Sequence, residues 1–325
     1  MTATTNPVRS KNLRGIPPIY PILVAVFVIS AVLSYFFSGG SNFFSSTVLK
    51  NIFDRGVSLG IVAVGQTFVI LLGAIDLSVA YVISVTAVMG AYFMAGDPSR
   101  IPLAIAIVLG IGVLVGLTNG LIITRLKVNP FITTLGTSLL LKGVLDSAFE
   151  KFKGSVPEVF RNLSYGDFLT IPIPIFILAA AAAIGWFILN RTPFGYRLFA
   201  VGGGNETARL SGIRTNTVIV GAYVFSAVMS VVSGLIVLSR LGSGMPWVGP
   251  DGLYDLESIA TVVIGGTAMS GGRGGIAGTI AGVIIFGILD TLFNQLGVNT
   301  FLKQVLRGLI IIIAVASYTY RSKNN

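Results

Sequence analysis

The sequence contains no cysteine and no histidine among its 325 residues. Without cysteine the chain has no disulfide, no thiolate nucleophile and no sulfur-ligated metal. Without histidine, the commonest transition-metal ligand and general base is missing as well, so an enzyme would depend on carboxylates, lysine or serine alone. These absences argue against catalysis, and we expect neither a metal site nor a cofactor.

Charged residues are scarce too. They make up 10% of the chain, against about 25% in an average soluble domain, while apolar residues make up 54%. Apolar runs near the ~20 residues that cross a ~30 Å hydrocarbon layer recur along the whole chain. The sequence therefore predicts an all-α, polytopic membrane helix bundle of about ten transmembrane helices, with residues 1–325 forming a single membrane domain. The predicted runs are at about 20–37, 57–75, 77–95, 101–123, 131–149, 171–189, 218–238, 259–269, 276–293 and 301–318, the eighth being too short to span alone.

The 22 basic residues are divided unequally among the loops. If the N-terminus is inside the cell, more than half of them fall in cytoplasmic segments, as the positive-inside rule expects. We therefore place both termini, including residues 1–18, in the cytoplasm. The net charge of +10 then reflects membrane topology, and we expect no nucleic-acid partner.

The longest polar interruption is residues 191–216, which carry Arg191, Arg197, Arg209 and Arg214 against one acid, Glu206. The rest of the chain is built to lie in lipid, so a basic, Gly-rich segment of this length is displayed to water. We predict that it is a cytoplasmic docking surface for a partner protein.

An acid also interrupts an apolar region of nearly forty residues, in the sequence GAIDLSVA at 73–80. An ionisable residue there is costly unless it lies at an interface or caps a helix. We favour the interpretation that Asp76 caps the following helix over a role in substrate binding. An apolar run, a Gly-rich break and a second apolar run occur at 60–90 and again at 259–287, a pattern that duplication produces but that glycine frequency alone also explains.

Four segments, in order along the chain, together resemble the ABC-importer permeases of the ribose/xylose/arabinose type, a monosaccharide importer family. They are GAIDLSVA at 73–80, VNPFITTLGT at 128–137, TPFGYRLFAVGGGNETARLSGI at 192–213 and IATVVIGGTAMSGGRGGIAG at 259–278. The chain departs from the family pattern at Ala74 and Ala80, where glycine is usual, and at Asp255 and Glu257, where the order of the acids is reversed.

The resemblance implies a permease domain in the cytoplasmic (inner) membrane of a bacterium that moves a monosaccharide inward as a multi-pass subunit. Its implied partners are a cytoplasmic ABC ATPase subunit, an extracytoplasmic sugar-binding protein, a second permease chain (identical or a paralogue) and membrane lipid. The chain itself is then a transport subunit and not an enzyme, and it has no G-x-x-x-x-G-K-[ST] loop that would cradle nucleotide phosphates.

In permeases of this kind the long inner loop forms short coupling helices that sit in a cleft of the ATPase. The matching positions here are within residues 191–216, and aromatic and arginine side chains commonly anchor interfaces. The contact candidates are Arg191, Tyr196, Arg197, Phe199, Asn205, Glu206, Arg209 and Leu210.

Polar residues within the spans are candidates for the translocation pathway, since a sugar needs hydrogen-bonding groups along its route. The candidates are Gln66, Asn119, Thr133, Thr134 and Asn294. Buried threonine and asparagine also hold helices together by hydrogen bonds, and for each residue taken singly we favour that interpretation.

A secondary active transporter is the alternative function, and it would couple an ion through acids inside the bundle. Asp146 and Asp290 are the obvious material for such a site. Lys142 and Asp146 are one helical turn apart and are predicted to form an ion pair. For Asp290 the predicted partner is Lys303 or Arg307.

Overall fold

The computed structural model describes residues 19–37, 45–149, 154–299, 301–310 and 312. The predicted cytoplasmic segment 1–18 and the end of the tenth apolar run lie outside these residues. Within the described part, the helices are α1 Ile19–Phe37, α2 Ser46–Leu71, α3 Val79–Met94, α4 Ile101–Arg125, α5 Pro130–Phe149, α6 Glu158–Tyr165, α7 Ile173–Arg191, α8 Pro193–Gly203, α9 Asn205–Leu210, α10 Thr215–Leu241, α11 Val248–Asp251, α12 Tyr254–Ile264, α13 Ile276–Gln295 and α14 at 301–310. A 3-10 turn, Pro98–Arg100, precedes α4, and two-residue strands β1 Asp167–Phe168 and β2 Ile171–Pro172 pair antiparallel before α7.

Five segments of the described chain are long and apolar enough to cross a membrane: Ile19–Phe36, Pro98–Arg125, Ile173–Arg191, Thr215–Leu241 and Ile276–Gln295. Two shorter apolar helical segments, Gly56–Leu71 and Val79–Met94, accompany them. The structure is therefore the all-α, polytopic membrane bundle that the sequence predicts.

Helix α10 lies at the centre of the bundle and packs against α2, α3 and α4. Close approach of α10 to α4 depends on glycine. A methyl group at Gly116 would lie 2.6 Å from the Val224 Cα, and one at Gly120 would lie 2.7 Å from the Val220 Cα. Small residues let backbones approach in lipid, where there is no hydrophobic force between helices. The outer helices instead expose large apolar side chains such as Leu114, a surface suited to lipid.

Two helices end earlier than their apolar runs predict. Helix α2 ends at Leu71, not near residue 75, and α12 ends at Ile264, not near residue 269. The backbone turns left-handed soon after each end, at Gly73 with φ +74° and at Gly266 with φ +91°, and a right-handed helix cannot continue through such a residue. The paired pattern in the sequence thus corresponds to two pairs of helices joined by Gly-rich turns, α2 with α3 and α12 with α13. The helices of each pair run in opposite directions: α2 lies antiparallel and α3 parallel to α10, and Thr261 of α12 faces Gly282 of α13.

Candidate functional site

The polar segment predicted as a docking surface forms two short helices, α8 and α9, between α7 and α10. The Thr192 hydroxyl accepts a hydrogen bond from the Gly195 N–H at 3.3 Å, and Pro193 occupies the first helical position, so the start of α8 is capped. Helix α8 ends at Gly203, and the Gly204 N–H bonds back to the Ala200 carbonyl. The local sequence therefore sets both ends of α8.

One side of this helix pair is anchored in the protein core. Leu198, Val201 and Ala208 are buried in the same apolar cluster as Phe68 and Leu71 of α2. The opposite side carries most of the predicted ATPase contacts, and these are exposed: Arg191, Tyr196, Arg197, Asn205, Glu206, Arg209 and Leu210. Phe199 differs from them, since it is partly buried and packs against the core cluster. The result is a fixed platform with a basic and aromatic outer face.

An ion pair shapes the charge on α9. The Arg209 Nε and Nη2 atoms donate to the Glu206 carboxylate at 3.1 and 2.5 Å, on adjacent turns of the chain. The hydrogen bonds from Arg209, and then its charge, lower the pKa of Glu206 below the ordinary value of 4.5. The pair is therefore ionised at neutral pH and presents a guanidinium and a carboxylate side by side.

At its C-terminal end, α8 contacts both Gly-rich turns through backbone atoms. The Gly272 N–H donates to the Leu71 carbonyl at 2.9 Å. A methyl group at Gly202 would lie 1.8 Å from that carbonyl oxygen and 2.8 Å from the Gly272 nitrogen, and one at Gly271 would lie 2.7 Å from the Gly202 oxygen. We name this contact of Leu71, Gly202, Gly271 and Gly272 the glycine junction. It joins α8 directly to the ends of α2 and of the loop before α13.

The break between α2 and α3 is held by a buried polar network centred on Asp76. One carboxylate oxygen of Asp76 accepts from the Ser78 N–H at 3.0 Å and the Ser78 hydroxyl at 2.5 Å, and the other accepts from the Ser226 hydroxyl of α10 at 3.0 Å. Asn119 of α4 donates to the Ser78 hydroxyl at 3.0 Å and accepts from the Thr137 hydroxyl of α5 at 2.6 Å. Three helices, α4, α5 and α10, are thereby tied to one turn of chain.

This geometry corrects the predicted cap. The first helical residue of α3 is Val79, and Ser78 before it makes no side-chain capping bond. Asp76 bonds the N–H of Ser78 itself, so its carboxylate closes the turn ahead of the helix and does not cap the first turn of α3. Asp76 therefore has a structural role, as we favoured, but it stabilises the turn before α3 and does not cap that helix.

Helix α5 supports the same break with two hydroxyl groups. The Thr134 hydroxyl lies 3.3 Å from the Ile75 carbonyl, and the Ser138 hydroxyl donates to the Leu77 carbonyl at 2.8 Å. Non-helical backbone inside a membrane protein needs such partners, because lipid supplies none. Neither Ser138 nor Ser226 was among the predicted site residues, although both are hydroxyls within apolar runs.

The predicted pathway residues divide into those engaged in packing and one that is not. Asn119 and Thr134 hold the break, the Thr133 hydroxyl bonds the carbonyl of Asn129, the residue before its own helix, at 3.1 Å, and Asn294 accepts from the Lys303 ammonium. Gln66 is fully buried, and neither atom of its amide has a hydrogen-bond partner within the part of the chain that the structure describes. Gln66 is therefore the candidate whose polar group the packing does not use.

The acids considered for ion coupling are both engaged. Asp146 accepts from the Trp247 indole at 2.8 Å, and among the described residues no ion pair joins it to Lys142, so the predicted pair is wrong. The tryptophan reaches Asp146 from the loop before α11, 101 positions away in the sequence. Asp290 bonds Arg307, one of its two predicted partners. The described residues contain no cluster of three or more acids that could hold a metal ion.

A multi-pass bundle with two helix pairs joined by Gly-rich turns, and with an exposed pair of short helices docked on those turns, belongs to the class of membrane transport subunits. Residues 48–315 match the family model described as "Branched-chain amino acid transport system / permease component". The chain therefore belongs to this permease family, and its resemblance to the permeases of ABC importers is confirmed. It is a multi-pass transport component of the inner membrane and not an enzyme.

Curated relatives align along nearly the whole chain. The ribose import permease protein RbsC of Haemophilus influenzae is 36% identical over 306 residues, covering 91% of this chain and 92% of the relative. The galactose/methyl galactoside import permease protein MglC of Escherichia coli is 33% identical, covering 91% and 92%. The fructose import permease protein FrcC of Rhizobium meliloti is 32% identical, covering 94% and 86%. No solved structure matches the chain.

Proposed function

We propose that this chain is the membrane-spanning subunit of an ATP-driven ABC importer that carries a monosaccharide inward. Its relatives named for ribose, galactose and fructose import support a sugar as the solute. In this proposal the residues 191–216 and both termini face the cytoplasm. A second permease chain completes the pathway, and an extracytoplasmic binding protein delivers the sugar.

The observation that carries the proposal is the position of the glycine junction directly beneath α8. An ATPase that binds the exposed face of α8 and α9 moves a platform whose far side is in backbone contact with the end of α2 and with the loop before α13. The three elements meet without an intervening side chain, so a displacement of α8 reaches α2 and the loop before α13 directly. The chain thus converts closure of the ATPase into movement of its own helices.

Ion coupling, the alternative, has less support. Asp146 is bonded by Trp247, and Asp290 is paired with Arg307. A coupling site needs a carboxylate that is free to exchange its ion during transport. Both side chains instead serve contacts between structural elements.

Co-purification with the ATPase tests the docking surface. We expect the wild-type chain, co-expressed with the partner subunits that we propose and extracted in detergent, to retain an active ATPase, and a variant with Arg197, Glu206 and Arg209 replaced by Ala to lose it. The matched control replaces Asp97 and Arg100, another exposed acid and arginine three residues apart, at the opposite end of α3 from the break. Retention of the ATPase by the α8–α9 variant, or equal loss from the control, would refute the assignment of the surface.

A further inference from the structure

A cavity of about 440 Å³ lies among α2, α6, α10, α12, α13 and α14, far from the coupling helices. Its wall includes Gly56, 15 residues before Leu71 on α2, and Arg240, 25 residues after Thr215 on α10. At a rise of ~1.5 Å per residue, these wall residues lie roughly 20 to 40 Å from the platform. We name this space the distal cavity. Its volume is within the ~300–1,000 Å³ that small-molecule sites commonly enclose.

The wall of the distal cavity contains charged side chains, which are costly to bury in a membrane domain. Glu257 of α12 is 7% exposed, and its carboxylate is 2.7 Å from the Arg307 Nη1 atom. The other terminal nitrogen of Arg307 bonds Asp290 of α13. Charged side chains inside a membrane bundle are costly and mark solute pathways more often than other positions do. A salt bridge between α14 and its neighbours explains the pairing but not the adjoining open space.

The balance of these charges decides which kind of solute the cavity suits. Arg240 also lines the wall, so two guanidinium groups face two carboxylates and their formal charges cancel. Such a site gives a single ion no net attraction. It does offer many hydrogen-bond donors and acceptors close together, which is what the vicinal hydroxyl groups of a neutral polyol require.

The remaining wall supplies apolar surface. Tyr165, Tyr254 and Phe286 line the cavity, whereas the hydroxyls of Ser164 and Tyr165 donate to backbone carbonyls of α10. Aromatic faces pack against the C–H groups of a sugar ring while polar groups bond its hydroxyls, the mixture of apolar wall and few polar groups that orients a small ligand.

We propose that the distal cavity is a low-affinity monosaccharide site, in which Glu257, Asp290 and Arg307 exchange hydrogen bonds with the hydroxyl groups of the sugar. This proposal rests on the proposed function, because it places a binding site for the same sugar at the end of the bundle away from the ATPase. Low affinity follows from the task, since a conduit must release what it binds.

The absence of cysteine allows a direct test on the complete transporter. Ser164→Cys and, separately, Tyr165→Cys place a single thiol in the cavity wall of the permease, and Ser99→Cys places one in the exposed turn at the same end of the bundle as a control. The labelling rate of each thiol by a membrane-impermeant maleimide is measured with and without millimolar D-ribose, D-galactose, D-fructose or L-leucine. Leucine is included because the family description names branched-chain amino acids.

We expect at least one of the sugars to slow labelling of the cavity thiols severalfold and to leave the Ser99→Cys rate unchanged. Labelling that no sugar slows would overturn the proposal, and so would protection by leucine alone. Cavity thiols that stay unreactive both with and without ATP would also overturn it, because the space would then never admit water.

Transport kinetics provide a second, independent test of the site. Glu257→Gln and Asp290→Asn keep shape but remove charge, and each should raise the KM for the protecting sugar about tenfold, the loss expected when a hydrogen bond to a charged group is weakened. An unchanged KM in both variants would mean that the cluster serves only to fix α14. If the wild-type transporter takes up a sugar that protects no thiol, the cavity assignment fails and the importer proposal stands. If it takes up no sugar at all, the proposed function fails.

Discussion

Substitution of Gly202 by alanine tests whether the glycine junction transmits force. The new methyl carbon would lie 1.8 Å from the Leu71 carbonyl oxygen, whereas real contacts of this kind under 3.0 Å are essentially never seen. The backbone of α8 must therefore withdraw from α2 by about 1 Å. Overpacking of this kind costs ~1–3 kcal/mol.

The cost falls on the contact between α8 and the breaks, because Leu198 and Val201 still anchor α8 in the core. A change of ~1–3 kcal/mol in the coupling between two sites corresponds to about a 5- to 150-fold change in their mutual effect. We expect Gly202→Ala to assemble with the ATPase and hydrolyse ATP, while solute uptake per ATP falls by a factor in that range.

Gly203→Ala is the matched control. Gly203 is the next residue of the same helix, and a methyl group there meets no atom within 4 Å. Uptake and ATP hydrolysis are measured together in proteoliposomes that contain the complete transporter, and thermal unfolding in detergent reports stability. If the two variants give the same uptake per ATP, the junction does not transmit the motion and the reasoning is wrong.

Three further predictions concern polar contacts. Asp76→Ala should lower the free energy of unfolding by ~3 kcal/mol or more, because three buried donors lose their acceptor. Asp76→Asn should lower it less, because the oxygen of its amide still accepts a hydrogen bond. Thermal unfolding in detergent compares the two variants, and equal losses would contradict the network. Arg307→Met should lower the free energy of unfolding by ~3–5 kcal/mol, because two buried carboxylates lose their shared cation. Adding Glu257→Gln and Asp290→Asn to this variant should restore most of the lost stability in the same assay, and no recovery would contradict the pairing. Arg209 lowers the pKa of Glu206, so the carboxylate stays ionised as the pH falls through its ordinary pKa. The ion pair is lost only when the pH falls further, through the lowered pKa of the folded protein. Arg209→Gln should return that pKa towards its ordinary value and move the acid limit of ATPase association to higher pH in a pull-down, whereas an unchanged limit would show that the pair does not control it.

Hydropathy predicted the helices well where apolar length alone decides them. The first run, at about 20–37, agrees with α1 Ile19–Phe37 to within one residue, and the run at 101–123 agrees with α4 to within two. At the two breaks the apolar run continues past the helix end, so hydropathy overshoots. The signal that ends those helices is the left-handed backbone at Gly73 and Gly266, which composition does not reveal among 40 glycines.

Contacts between distant segments could be predicted only when neighbouring spans limit the choice. Asp290 and Arg307 are 17 positions apart on consecutive helices, so hairpin connectivity suggested the pair. The bond between Asp76 and Ser226 joins positions 150 apart, and the bond from Trp247 to Asp146 joins positions 101 apart. One sequence does not show which of many hydroxyls or indoles reaches an acid, and for Asp146 the local turn of helix suggested the wrong partner.

The glycine junction also determines which movements α8 can pass on. Interlocked side chains on packed helices form ridges and grooves that resist sliding. Here the backbone of α8 meets two other backbones, and the hydrogen bond from Gly272 to Leu71 joins those two to each other. Pressing α8 inward compresses backbone atoms already at contact distance and is strongly resisted. The junction therefore passes a push from the platform to the end of α2 and to the turn before α13 together, because the bond from Gly272 to Leu71 links these two elements, while Leu198 and Val201 keep α8 in the same apolar cluster as the end of α2.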